Sequence, residues 1–171
     1  MMHDPNDLIT LFNDLFRESL RTTLVKGGAE PEYVPAGHAD GYARIIFAHD
    51  YYASALHEIS HWCIAGPARR ALPDYGYWYC PDGRSRDQQH AFEAVEVKPQ
   101  ALEWLFSMAA GSPFNISLDN LSGDGTINAA EFYHNVRSQA EHYLTHGMPE
   151  RAETFVQALK TFYGTSDQTL R

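Results

Sequence analysis

The sequence predicts a mainly α-helical, single compact domain with a minor β component, built around one metal-binding helix in a locally zincin-like arrangement. Three observations carry that prediction. Apolar residues recur at helical spacing through most of the long segments. Only one run, Arg44-Ile45-Ile46-Phe47-Ala48-His49, is short, β-branched and aromatic enough to read as a buried strand. Directly after it, His57-Glu58-Ile59-Ser60-His61 lies inside the helix-compatible run 51–66, so the strand would fix the direction in which that helix faces.

A chain of 171 residues with 44% hydrophobic and 13% aromatic content fits one domain with a substantial core. No apolar run approaches the roughly 20 residues that span a bilayer, and the first residues lack the pattern of a secretory leader. Cys63 and Cys80 do not make a disulfide framework, so a reducing, cytoplasmic setting is expected. Thirteen Lys and Arg against 22 Asp and Glu give a formal charge of −9. That balance argues against direct nucleic-acid binding, and a monomer with no membrane partner is expected.

In chain order, Asp4 caps a first helix with Pro5 at its first position. Leu8, Ile9, Leu11, Phe12, Leu15, Phe16 and Leu20 extend that helix to about Leu24. Gly, Pro and acidic residues make 27–41 a loop, and the run 44–49 is the strand. The HExxH helix follows and is stopped by Gly66-Pro67. His38 and His49 read as ordinary polar histidines. Between Tyr75 and Tyr79, the aromatics Tyr75, Tyr77, Trp78 and Tyr79 are too dense for one core-facing segment, so some should line a cleft. Arg69, Arg70, Arg84 and Arg86 flank them. Residues 85–111 read as two helices meeting at Pro99 or as one kinked helix, with Leu102, Leu105, Phe106 and Ala109 buried. A helix to about His146, stopped by Gly147, and a last one over 150–163 complete the chain. Phe155, Val156, Leu159, Phe162 and Tyr163 should face inward in that last helix, with a frayed tail after Gly164.

The stretch 120–131 has oxygen-bearing residues at EF-hand positions, but Asn120 and Ser122 make it charge-poor. Asn128 and Glu131 are explained equally well as a capping box for the following helix.

The chemistry concentrates on HExxH. Positions i and i+4 share a helix face, so His57 and His61 can point at one ion. Glu58 reaches a metal-bound water rather than the metal. A third, carboxylate ligand is expected downstream. Glu96, flanked by Val95 and Val97, has the more buried setting, while Glu93 and Glu103 sit in more polar or looser ones. Two His and a distal carboxylate serve zinc peptidases and non-haem Fe(II) oxygenases alike, and spacing does not choose between them. A zinc metallopeptidase and a binding module with a structural metal therefore stand as rivals.

Three blocks narrow the choice. His57 to Gly66, Tyr75 to Arg84 and Val95 to Leu102 closely resemble the bacterial elongation factor P hydroxylase family. The resemblance runs from about Leu8 to Tyr163 and is strongest over 44–115. It implies hydroxylation of the β-lysylated lysine of elongation factor P at a 2-His-1-carboxylate centre. His57 and His61 would be ligands, the carboxylate would fall on Glu96, and Glu58 would be the catalytic carboxylate. It further implies Fe(II) as the divalent metal and dioxygen as co-substrate, with no signature for 2-oxoglutarate. Tyr75, Tyr77, Trp78, Tyr79 and Arg84 would contact substrate. The stretch around 120–131 departs from the family pattern, which weakens the calcium reading.

Overall fold

A computed structural model describes residues 2–37, 40–77, 83–118, 129–166 and 170. The elements in order are α1 (Pro5–Phe16), β1 (Thr22–Lys26), β2 (Glu32–Val34), β3 (Ala43–Phe47) and α2 (Tyr52–Ile64). They continue with α3 (Pro67–Arg70), a 3₁₀ turn (Pro73–Gly76), α4 (Arg86–Ala110), α5 (Ala129–His146) and α6 (Glu150–Tyr163). The mainly helical class with a small sheet is as the periodicities predict.

Three strands form one sheet in the order β1-β3-β2, with β1 parallel and β2 antiparallel to β3. Along β3, Ala43, Ile45 and Phe47 are buried while Arg44 and Ile46 are half-buried. One face is thus packed on the helices and the other faces outward. The expected first helix is corrected here. It ends at Phe16 rather than near Leu24, and Leu24 belongs to β1, opposite Ile45. Leu20, expected on the helix's apolar face, is 45% exposed. Arg21 takes a left-handed φ of 50° that breaks the helix, and the β-branched Thr22, Thr23 and Val25 favour the strand. The loop expected over 27–41 likewise contains β2, which finds its partner only in the non-local edge of β3.

Helix α2 separates two environments. Ala55, Leu56, Ile59, Trp62 and Cys63 are buried in the core, where Phe12 and Phe16 of α1 each meet the Trp62 ring at 5.0 Å. His57 and His61 lie on the opposite side, as 3.6 residues per turn requires. The entry of α2 is tied to β3 because the Ala48 N–H donates to Ser54 Oγ at 2.9 Å. Its exit is held by two guanidiniums: Arg70 and Arg151 both donate to the Ala65 carbonyl, at 2.5 and 2.7 Å. Those donors satisfy a carbonyl that a helix terminus would leave unpaired.

Helix α4 is the central column. It runs unbroken through Pro99 and is buried on all sides from Pro99 to Ser107. Packing against α2, α5 and α6 outweighs the local cost of proline, so the single-helix alternative is the one observed. A capping box of Ser85 and Gln88 opens it, and Gly111, at φ 69°, closes it. In α6, Phe155, Val156, Leu159 and Tyr163 are buried as their spacing predicts, and Ala152 joins them. Phe162 is corrected to 46% exposed, because the last turn buries Tyr163 instead, its hydroxyl bonded to Tyr52 Oη at 2.9 Å. Most of the EF-hand-like stretch, with Asn128, and the residues His38, Trp78, Tyr79 and Cys80 lie outside the described residues.

Candidate metal centre

The site forms where α2 crosses α4. His57 and His61, one turn apart, bring their Nε2 atoms to 3.1 Å of each other. Glu96 on α4 closes the group, with Oε2 at 2.8 Å from His61 Nε2 and Oε1 at 3.3 Å from His57 Nε2. One ligand atom from each of the three residues lies within 4.8 Å of the others. Among the described residues this is the group that could hold a metal ion. Glu93, the alternative carboxylate, lies elsewhere, beside His90 and Glu131. Three donors are one fewer than a closed, four-coordinate structural zinc site uses, so among the described residues the set leaves a position for another ligand.

The carboxylate is itself supported. Glu96 is only 3% exposed and accepts from Gln100 Nε2 at 3.1 Å. Gln100 is fixed in turn through both ends of its amide, to the Ser117 carbonyl at 2.7 Å and the Ser117 N–H at 3.0 Å.

The sequence reading missed Glu103. Judged by its neighbours in the chain it seemed loosely placed, yet it is 9% exposed and its Oε1 lies 2.7 Å from His57 Nδ1. A carboxylate can only accept, so Nδ1 carries the hydrogen and Nε2 is the atom directed to the centre. Helical spacing was the signal. Gln89, Glu96, Gln100, Glu103 and Ser107 are all buried, and the last four recur at i, i+4, i+7 and i+11 along one stripe of α4. A polar stripe at that period inside a buried helix marks a polar interior.

The electrostatics fit a cation at the centre. Burial by itself would lower the His57 value, but Glu96 and Glu103 outweigh it and raise His57 well above the usual histidine range. Burial by itself would raise Glu96, but His57 and His61 outweigh it and hold Glu96 well below the carboxylate range. Positive charge is therefore favoured between these groups, and a divalent ion would replace the imidazole proton there. Glu58, half-buried beside His57, lies outside the ligand group. Burial raises its carboxyl, and the two histidines only partly oppose that.

A cavity of about 360 Å3 adjoins the centre, lined by His61, Gly66, Arg69, Tyr77, Val95 and Pro99 among others. A larger one, about 710 Å3, lies between α4, α5 and α6 and is lined by none of the three candidate ligands. Of the residues expected at the substrate, Tyr75 is 5% exposed and stacks parallel to His61, with ring centroids 6.4 Å apart. Tyr77 is half-buried at the cavity wall, with the Arg69 guanidinium 3.9 Å over its ring. Arg84 is 1% exposed. Its Nε donates to Gln89 Oε1 at 2.7 Å, an Nη to the Leu118 carbonyl at 2.5 Å, and its head group covers the Phe92 ring. The arginine expected at a substrate surface is thus enclosed at the start of α4.

With this geometry established, comparison with known proteins is direct. The family model described as elongation factor P hydroxylase matches residues 11–171. A protein of Haemophilus influenzae named elongation factor P lysine hydroxylase is 50% identical over 167 residues, covering 98% of this chain and 93% of its own. The His57–His61–Glu96 group thus sits in a chain that belongs to the elongation factor P hydroxylase family.

Proposed function

We propose that this protein hydroxylates the β-lysylated lysine of elongation factor P, with His57, His61 and Glu96 holding Fe(II) and dioxygen as co-substrate. The observation that carries the reading is the convergence of those three donors, with positions to spare, in a chain half identical to a relative of that name. Bound iron would supply the oxidising chemistry: one oxygen atom of dioxygen enters a C–H bond, and the other leaves as water with two protons and two electrons from an external reductant.

The chain's own residues provide the rest. Glu103 orients His57 through Nδ1, and Gln100 steadies Glu96. Glu58, with its carboxyl raised by burial, holds or passes a proton beside the centre. The cavity next to His61 receives the long cationic side chain, with Tyr77 in its wall and the Tyr75 ring stacked beside His61. Arg84 anchors the far end of that segment rather than reaching the substrate itself. The formal charge of −9 suits a cationic side chain and disfavours nucleic acid as a direct partner. The enzyme acts as a monomer in the cytoplasm, where a translation factor is found; among the described residues no helix is long and apolar enough to cross a membrane.

Mass spectrometry of β-lysylated elongation factor P, after incubation with the Fe(II)-loaded protein and a reductant, tests the reading. A gain of one oxygen on the modified lysine is expected. An unchanged mass overturns the hydroxylase reading, and peptide cleavage by the zinc-loaded protein would put a metallopeptidase in its place.

A further inference from the structure

The turn that carries Tyr75, whose ring lies beside that of His61, is held in an unfavourable backbone. Asp74 and Tyr75 have φ of 49° and 60°, and Gly76 has 75°, three successive residues in the left-handed region. Glycine adopts that region freely, whereas a bulky aromatic residue rarely does. The surroundings enforce it. Asp74 Oδ1 accepts from the Tyr33 N–H at 2.9 Å, and the Arg69 guanidinium donates to the Tyr75 carbonyl at 3.0 Å. The Tyr33 ring stacks on that of Tyr75, with centroids 4.2 Å apart and planes at 16°. Backbone strain that several contacts over-determine gathers at functional sites.

The two stacked tyrosines differ at their hydroxyls. Tyr33 Oη donates to the Arg70 carbonyl at 2.7 Å. Tyr75 Oη, buried to a similar degree, meets no hydrogen-bond partner among the described residues. A buried hydroxyl without a partner forfeits its hydration, so such groups are uncommon in folded proteins. Tyr75 also lies near enough to Glu58 that the carboxylate adds to burial in keeping the phenol protonated, hence a donor.

We propose that Tyr75 Oη is a reserved hydrogen-bond donor to the oxygen- or nitrogen-atom ligand that binds the centre on its His61 side. Tyr75 is then a catalytic residue in its own right, and the strained turn exists to seat it. The inference rests on the reading of His57, His61 and Glu96 as a metal centre.

Tyr75→Phe keeps both ring stacks and removes only the donor, and two readouts test it. In the metal-free protein, the melting temperature should stay level or rise by about 2–4 °C, because a buried orphan group is removed. In the Co(II)-loaded protein, azide followed by visible absorption should bind Tyr75→Phe at least about ten-fold more weakly than wild type, the loss of one hydrogen bond to a charged group. A lower metal-free melting temperature would mean that the hydroxyl is bonded within the fold, and overturns the inference. So does equal azide affinity, or a wild type whose Co(II) spectrum ignores azide. A wild type that takes up no Co(II) overturns the metal-centre reading and this inference together. One that binds Co(II) and azide as expected but adds no oxygen to elongation factor P overturns only the hydroxylase assignment.

Discussion

The chain carries two histidine pairs at i, i+4 spacing on helices. His57 and His61 on α2 have ring centroids 4.8 Å apart, and His142 and His146 on α5 have them 4.6 Å apart. In helical spacing and ring separation the pairs are equivalent. Their surroundings are not: His142 and His146 are exposed, while the α2 pair faces the buried carboxylates Glu96 and Glu103 across the α2–α4 contact. Helical spacing brings two imidazoles together, and a second element that brings buried negative charge to meet them turns a pair into a candidate metal centre. Burying Glu96 and Glu103 carries a desolvation cost, which cations in the centre offset.

The largest expected effect separates the pairs outright. His57→Ala or His61→Ala should abolish stoichiometric metal binding, measured by elemental analysis of the purified folded protein. His142→Ala and His146→Ala should leave it intact. An undiminished ion in both α2 variants would remove the distinction.

Next in size is Glu58, the carboxylate beside the pair. Glu58→Gln should retain the metal and lose hydroxylation by about 10²–10⁴-fold, the usual scale for a positioned proton-transfer group. If the metal leaves as readily as in His57→Ala, Glu58 is a ligand; if full activity remains, it has no catalytic role.

Glu103 sharpens the comparison further, since it is what the α5 pair lacks. Glu103→Gln keeps the size of the side chain and removes the charge that orients His57. Metal affinity, read by competition with a chelator, should fall about 10–100-fold. No change would reduce Glu103 to a packing group.

The smallest effect is in pH dependence. The folded value of His57 is raised, so its contribution to stability is complete below the ordinary histidine value of 6.5 and is lost as pH rises through the raised one. Glu96 is lowered, so its contribution is present above the ordinary 4.5 and is lost as pH falls through the depressed value. As far as these two groups decide, the metal-free melting temperature should peak between those ordinary values and decline on both sides. Metal loading should add most stability on the alkaline side, because the ion must displace the imidazole proton. Replacing His142 and His146 should leave both flanks in place.

What the sequence made legible was local. HExxH, the strand expected over 44–49 and found at Ala43–Phe47, and the stop at Gly147 each depend on a few adjacent residues. Glu96 was preferred over Glu93 because its flanking valines signalled burial, and it is indeed the one beside the histidines. What escaped was set by distant partners. Leu24 continued the α1 periodicity but pairs with β3, and β2 exists only through its register on that strand. Glu103 lies between Leu102 and Trp104, and only counting seven residues from Glu96 puts both on one face of α4. Arg84 carries a charge that sequence alone assigns to the surface, yet Gln89, Phe92 and the Leu118 carbonyl enclose it.

The central claim is that dioxygen chemistry occurs at the centre on α2 and not merely somewhere on the protein. Wild type and Glu96→Ala, each supplied with Fe(II) and reductant, would be incubated with β-lysylated elongation factor P under isotopically heavy dioxygen. The modified lysine would then be analysed by mass spectrometry. One heavy oxygen in the wild-type product and none with Glu96→Ala is the expected result. An added oxygen derived from water, or equal incorporation by the two proteins, would contradict the account.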